Sequence, residues 1–573
     1  MTDFRIEKLP FDAVALSAWS QASSGSESWP VVYTLSDSGD IYVGETLNAP
    51  ARLHQHLQSP AKSHLERVQI INNEKFNKSV CLDLESHLIR YFAADGTYRV
   101  LNANSGITNS NYFDRENYRE SFHQLFDMLV EDGTLSRPIP EIVNSNLFKF
   151  SPFKALNTEQ AVALSGVLEK VVEDFQNEKQ QSLVIQGDPG TGKTIVAIYL
   201  LKLIRDIPNL TAHEVSEQES VFSVFFEKEI QNSLRNFKVA LVIPQQALRK
   251  TISEVFAMTP GLSKEMIKTP FEIGEGDEHY DLLIVDEAHR LGQRANQASA
   301  MQNMKFSAIN QKIYGDDSSS HNQLDWIRSK SRHQLLLIDT AQSIKPADLP
   351  LVVTQNIISI AQEGGALFRL MSQMRVTGGA DYLDFISKLF SASPESARPF
   401  GNYDLKFFDS FAAMKEEISR KDNEHGLSRM LAGFAWKWQS KKNKSAFDFN
   451  IEGVKLQWNQ TATDWINSPT SSNEVGSIHT IQGYDLNYAG VIIGNDLGFD
   501  PEANMVLFNR SNYFDVKGKE DNPRLGIKYS DEDLLQFILN IYKVLLTRGI
   551  LGTYVYVSDP QLRQYLRKYF EAL

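Results

Sequence analysis

From about residue 150 onward, short apolar runs alternate with stretches of helical periodicity. The runs SLVIQG, VALVIP, DLLIVDEA and QLLLIDTA come first, followed by SRMLAGFAW, GSIHTIQG, AGVIIGND and GTYVYVSD. They are mostly apolar rather than alternating, as expected of strands covered on both faces, and the helical stretches between them predict parallel sheets. There are enough runs for two sheets, a first core over 150–365 and a second over 366–573. Ahead of them, residues 1–115 (core 31–110) predict a small α+β unit. It has a hairpin over 31–44, a helix near 48–59, the strand VQIINN and the helix SVCLDLESHLIRYFAAD. Residues 116–149 predict a short helix and then a polar, proline-containing linker, SRPIPEIVNSN. The expected fold class is α/β: one small α+β domain followed by two parallel-sheet domains.

Composition narrows this picture only slightly. A chain of 573 residues implies about three or four domains, and 42% hydrophobic with 23% charged residues is ordinary for a globular protein. No apolar run approaches the roughly 18 to 20 residues that span a bilayer, so no membrane partner is expected. The stretch MTDFRIEKLPFDAV does not read as a secretory signal. A lone cysteine, Cys81, excludes an internal disulfide and a thiolate zinc site, and fits a reducing cytoplasm. The net charge of −13 argues against nonspecific polyanion binding by the whole surface, while leaving room for a basic groove.

The candidate chemistry begins with QGDPGTGKT, which matches G-x-x-x-x-G-K-[ST] at Gly187, Gly192, Lys193 and Thr194. It follows the apolar strand residues Leu183, Val184 and Ile185 and precedes the helical run IVAIYLLKLI, the context a phosphate-binding loop requires. Backbone around Gly187, Gly190, Thr191 and Gly192 would wrap phosphate oxygens, Lys193 would reach the β/γ-phosphates, and Thr194 would ligate Mg²⁺. DLLIVDEAHR ends a second strand at Asp286 and Glu287. Asp286 suits the Mg²⁺ shell and Glu287 the orientation or deprotonation of attacking water. ATP and Mg²⁺ are the expected cofactors.

The ordered blocks resemble superfamily 1 helicases, and their wording in QMRV, AGFAWKW and IQGYDLNYAGVI resembles the Schlafen-type subgroup, over roughly 150–573. The resemblance implies two RecA-like cores. LNTEQ would place Gln160 on the adenine, and LVIPQQAL would touch a nucleic-acid backbone. LLLIDTAQSI would offer Asp339 and Gln342 as sensors of the γ-phosphate. SQMRVTGG and VLLTRG would supply Arg375 and Arg548 as arginine fingers. The motif containing Gln482, Gly483 and Asp485 would lie near nucleotide and strand. Trp436 and Trp438 are read as packing residues rather than base platforms, and the acidic stretch 211–229 as a solvated or partner-facing helix.

The N-terminal unit carries a second constellation. Tyr33 and Tyr42-Val43-Gly44 flank the hairpin turn, Arg52 and His56 lie four apart on one helix face, and Glu85 and Asn102 follow. This order resembles GIY-YIG nucleases across about 31–110, although the first block reads Val31-Val32-Tyr33, without the family's usual glycine. The resemblance implies that Glu85 binds one divalent metal, Mg²⁺ or Mn²⁺. Tyr33 or Tyr42 would act as base or proton relay if the metal-bound environment lowers its phenol pKa. Arg52 and His56 would sit beside the hairpin, with Arg52 suited to clamp the scissile phosphate. Asn102 would close the site, with Asn104 as the alternative.

The expectation is therefore a cytoplasmic nuclease–helicase fusion that acts on nucleic acid, DNA ahead of RNA. It would serve restriction of invading DNA or DNA repair. A remodeller with an inactive nuclease domain, an RNA-directed enzyme and an ATP switch without translocation remain alternatives. Oligomeric state and accessory proteins stay open.

Overall fold

The computed structural model describes residues 4–22, 29–102, 112–153, 156–177, 179–209, 222–294, 297, 299–339, 344–391, 393–461, 464–481 and 484–571. The chain groups into two compact units. One is Met1–Asn157 with Ile198–Arg235 and Thr251–Met266; the other is Thr158–Ala197, Asn236–Lys250 and Ile267–Leu573.

The first unit is built on a mixed sheet of β1 (Arg5–Pro10), β2 (Val31–Ser36), β3 (Asp40–Thr46), β4 (Arg67–Asn72) and β5 (Arg99–Val100), in the order β1-β4-β2-β3-β5. β2 and β3 form the expected antiparallel hairpin, with Tyr33 opposite Gly44 and Leu35 opposite Tyr42. Helix Ala49–Leu57 follows, with Asn48 capping Ala51 N. Helix Lys78–Asp95 is capped by Asn77 and ended by Gly96 in the left-handed region, where glycine carries no Cβ penalty. Two features differ from expectation. β1, with three charges and a terminal proline in six residues, precedes the expected core of 31–110, yet it pairs along its length with β4 as an edge strand. The stretch 116–149, expected as a short helix and a linker, is folded further: helix Arg115–Glu131 buries Phe122, Leu125, Phe126 and Leu129 in one cluster with Leu84 and Leu88. The i, i+3, i+4, i+7 spacing of those four residues makes a helical face, and burying it costs less than leaving it wet.

The second unit holds two sheets. One is entirely parallel, in the order β11-β6-β10-β9-β7-β8. It uses β6 (Gln181–Gly187), β7 (Val239–Val242), β8 (Ile267–Lys268), β9 (Tyr280–Val285), β10 (Ser331–Ile338) and β11 (Leu367–Leu370). The expected boundary between cores at 365/366 precedes β11, which pairs with β6; the chain leaves this sheet only after Leu370. LFRL is too short and too polar to register as a buried strand in the sequence. The other sheet runs β12-β20-β17-β13-β16-β15-β14. Its strands are β12 (Asp404–Phe408), β13 (Ser428–Ala432), β14 (Phe449–Ile451), β15 (Val454–Trp458), β16 (Glu474–Ser477), β17 (Leu486–Ile493) and β20 (Gly549–Val557). All its pairings are parallel except the β14–β15 edge hairpin. β18 (Leu497–Asp500) and β19 (Met505–Phe508) form a separate ribbon. The expectation of two parallel sheets therefore holds. Of the acidic stretch 211–229, residues 211–221 lie outside the described residues; beyond them a turn at Ser223–Phe226 buries Phe225 and Phe226.

Candidate functional site

In the second unit, the β6 strand ends in the loop Gly187–Gly192 and helix Lys193–Asp206 begins directly after it. Gly190 and Gly192 have φ of 87° and 83°, and a Cβ on either would strike a glutamine at 2.2 and 2.3 Å, Gln373 Oε1 and Gln160 Nε2 respectively. Both positions therefore require glycine on two counts, conformation and space. Lys193 Nζ donates to the carbonyls of Gly187 (2.6 Å) and Asp188 (3.0 Å), and stands 3.6 Å from Asp339 at the end of β10. Thr194 Oγ1 donates to Asp286 Oδ2 at 2.8 Å, so the two expected Mg²⁺ ligands already meet. Gln160 donates from Nε2 to Thr191 O (2.9 Å). It abuts the loop from a buried position on helix Thr158–Gln176. Glycine cradle, ammonium, hydroxyl and carboxylate form a donor set that fits a magnesium–triphosphate.

Electrostatics divides the two acids at the tip of β9. Burial, with Glu287 next door, pushes Asp286 up to about 6, against the Thr194 hydrogen bond. Burial would raise Glu287 too, but His289, Lys193 and Arg290 outweigh it and hold that carboxyl far below its usual range. Glu287 adopts φ 50°, a left-handed conformation uncommon for a non-glycine residue and characteristic of functional turns. His289 accepts from Asp339 N at Nδ1 (3.2 Å), which leaves the proton on Nε2, 3.0 Å from Glu287 Oε2.

The second core approaches through two arginines. Arg375 is paired with Asp485 (2.5 Å). Arg548 is fully buried, donates to Val544 O and Tyr484 O, and feels the charges of Arg375, Asp485, Glu287 and Asp339. Burial lowers Arg548 to about 10, so its guanidinium remains charged at neutral pH. Gln342, Gln482 and Gly483 lie outside the described residues. The sequence reading passed over His289, Glu159 and Gln373. Glu159 accepts from Met371 N (2.7 Å) and Ser372 N (2.8 Å). Gln373 donates to Pro189 O (2.8 Å) and accepts from Arg375 N (2.7 Å). Their adjacency to recognised motifs, in TEQ, DEAH and SQMR, was the available signal.

In the first unit, the expected cluster assembles around Tyr33. Its ring is fully buried over Gly44, where a Cβ would lie 2.4 Å from the hydroxyl oxygen, so the Tyr-x-Gly spacing clears room for the opposite tyrosine. Tyr33 and Tyr42 pack at 6.3 Å, and the Tyr33 hydroxyl meets His56 Nε2 at 2.7 Å. Arg52 and Glu85 are close enough to act on the Tyr33 phenol, Arg52 by hydrogen bond as well as charge. Burial raises that phenol's pKa well above the ordinary value, Tyr42 and Glu85 add to the rise, and Arg52 only partly offsets it. Lys62, which the sequence reading did not single out, has Nζ 3.1 Å from His56 Nδ1 and 3.4 Å from the Tyr42 ring centre. An ammonium cannot accept, so His56 accepts at Nδ1 and presents Nε2–H to the Tyr33 oxygen. Asn102 is spent on the main chain of Val43, accepting at 3.0 Å and donating at 2.7 Å. It thus prolongs the β3–β5 pairing instead of facing the cluster, because both faces of its amide match a strand edge. Asn104 lies outside the described residues. Among the described residues, the acids and histidines that converge as a possible ligand group are Asp37, Asp40 and His64 at the hairpin turn, and Arg99 already holds Asp40 bidentately at 2.9 Å.

Two parallel-sheet cores, one ending in a phosphate-binding loop and the other bringing arginines to it, define a P-loop enzyme of helicase architecture. Residues 180–559 match the family described as Schlafen group 3, DNA/RNA helicase domain, and the chain belongs to that family. The Saccharomyces cerevisiae protein YPL245W is 27% identical over 459 residues, covering 72% of this chain and 92% of its own. Among solved structures, the arterivirus nonstructural protein 10 helicase gives 12% identity and a TM-score of 0.29 over 71% of this chain and 64% of its own. The Pif1 helicase of Candida albicans gives 12% identity and a TM-score of 0.27 over 73% and 99%. Among the described residues, no helix is long and apolar enough to cross a membrane.

Proposed function

We propose that this chain is an ATP-driven motor on nucleic acid, DNA ahead of RNA, carrying a metal-dependent endonuclease in its N-terminal unit. The observation that carries the motor reading is the pairing of Thr194 with Asp286 beside Lys193, with Arg548 charged and buried within the field of Glu287 and Asp339. Gly187–Gly192 would wrap the phosphates, Lys193 would hold the β/γ-oxygens, and Gln160 would meet the adenine. Bound Mg²⁺, held by Thr194 and Asp286, would neutralise charge on the triphosphate. Glu287, kept ionised by His289, would orient the attacking water, and Asp339 and Gln342 would report on the γ-phosphate. Arg548, and Arg375 on exchanging Asp485 for phosphate, would stabilise the charge that develops in transfer; such fingers are worth about 10³ to 10⁵ in rate. Gln482 and Gly483 would couple this site to the strand.

The nuclease reading is supported by the convergence of Tyr33, Arg52, His56 and Glu85 on one buried hydroxyl. Glu85 would hold one divalent metal, its shell completed by phosphate oxygen and water, and Arg52 would clamp the phosphate. His56 Nε2–H and Arg52 both donate to the Tyr33 oxygen, and would stabilise the phenolate that Tyr33 must become before it could take a proton from water. The setting we favour is restriction of invading DNA or DNA repair, in the cytoplasm.

Cleavage of supercoiled plasmid with Mg²⁺, with and without ATP, tests both halves. Lys193→Ala is expected to abolish ATP hydrolysis; retained turnover would refute the phosphate-loop assignment. Glu85→Ala is expected to abolish cleavage and to leave strand-stimulated ATP hydrolysis intact. Steady ATP hydrolysis without any cutting by the parent protein would point to a binding module or to an RNA substrate.

A further inference from the structure

The segment that follows β13 is chemically unlike the rest of this acidic chain. Residues 433–447, GFAWKWQSKKNKSAF, contain four lysines and no acid in a protein of net charge −13. Lys437, Lys441, Lys442 and Lys444 are all exposed, as is Lys455 on the neighbouring β15. None of the five forms an ion pair among the described residues, whereas Lys388, Lys406, Lys421 and Lys517 each do. Interspersed with them are aromatic rings. Lys441 lies 5.7 Å from the Trp438 ring centre, Lys455 lies 6.0 Å from that of Phe447, and Phe447 is 51% exposed.

The loop is held in shape by its own polar groups. Asp448 accepts from Ser440 N (2.9 Å), Ser440 Oγ (2.5 Å) and Trp458 N (2.8 Å), which pins both ends of 440–448. Gln457 Nε2 donates to the carbonyls of Lys444 and Ala446 at 2.7 Å. Asp448 is thereby satisfied internally, and the lysines project from a pre-shaped loop. Its place in the fold matters as well. It leaves the carboxyl end of β13, beside that of β16, with Phe434 5.4 Å from His479. Ligands of open parallel sheets gather along that edge.

We infer that this loop, with Lys437, Lys441, Lys442 and Lys444 as phosphate contacts and Phe447 as a stacking surface, is a docking track for single-stranded nucleic acid. The inference rests on the motor reading and deepens it. Lysines free of ion pairs recognise the phosphodiester backbone common to DNA and RNA, Lys444 exchanging its bond to Gln460 Oε1 (2.9 Å) for phosphate, and an exposed ring accepts any base on its face, so the track reads no sequence. Releasing counterions from four phosphates contributes a slope of about 3 to the fall of log affinity with log salt, at about 0.7 for each single-strand charge.

The test measures binding of labelled single-stranded DNA and RNA of one sequence to the full chain, between about 50 and 200 mM salt. The combined variant Lys437→Gln, Lys441→Gln, Lys442→Gln and Lys444→Gln is expected to lower the slope by about 3, while the same four changed to Arg keep it. Phe447→Ala is expected to weaken binding roughly tenfold without moving the slope. If the combined variant does not fold, Lys441→Gln and Lys442→Gln singly carry the test, each lowering the slope by about 0.7. The pattern on either strand supports the track, and the tighter strand names the substrate. A glutamine variant that binds as the parent does overturns the inference, leaves the motor reading standing, and assigns the patch to another acidic partner. A parent protein that binds neither strand overturns both.

Discussion

Asp496 shows how one buried carboxyl can govern the pH response of a domain. It is fully buried, its Oδ1 accepts from Tyr542 at 2.6 Å, and burial pushes its pKa up to about 7. The folded chain therefore holds this proton more tightly than the unfolded chain. The contribution favours folding at acid pH and is lost as the pH rises from about 4 through about 7, by at most about 1.4 kcal/mol per pH unit. Urea unfolding at a series of pH values should show that Asp496→Asn flattens this part of the profile; an unchanged slope would count against the burial account. Single residues also mark where the sequence stops being readable. Lys193, Thr194 and Asp286 could be found because their chemistry follows from chain neighbours. Lys62 could not, since it matters only through the fold that brings it 3.1 Å from His56, and His289 was signalled only by its place in DEAH. His289 likewise matters through Asp339, fifty positions further along the chain.

At the scale of the element, legibility follows burial. The strands β6, β9, β10 and β17 were plain in the sequence because each contains an unbroken apolar run. β1 and β11 were not, because edge positions tolerate charge and brevity. Helix Arg115–Glu131 is foreseen only as a short helix, although its buried apolar face continues to Leu129. The hairpin β2–β3 makes the sharpest prediction at this scale. Gly44→Ala would put a methyl 2.4 Å from the buried Tyr33 hydroxyl, with the ring enclosed on all sides. Overpacking of this kind typically costs about 1 to 3 kcal/mol. The first unit should unfold at lower temperature, and Tyr33 should lose its contact with His56, abolishing the cleavage attributed to that cluster. A variant with parental stability and parental cutting would mean that the hairpin opens more easily than its packing implies.

For the molecule as a whole, two compact units with separate hydrophobic clusters predict that heating does not produce a single two-state transition. Calorimetry should resolve more than one step. Saturating ATP with Mg²⁺ should raise the step that belongs to the two-core unit, by about 2.7 kcal/mol at a hundredfold excess over Kd. A shift of every step together would argue that the units unfold as one. The pairing of Arg375 with Asp485 adds a consequence for how the machine spends its time. A guanidinium already engaged by a carboxylate is not idle capacity; on the proposed role of Arg375, a triphosphate would have to compete with Asp485 for it. If Arg375 is the finger proposed above, hydrolysis would be restrained until Asp485 is drawn aside, and this one ion pair would act as a brake on fuel use in the absence of a track.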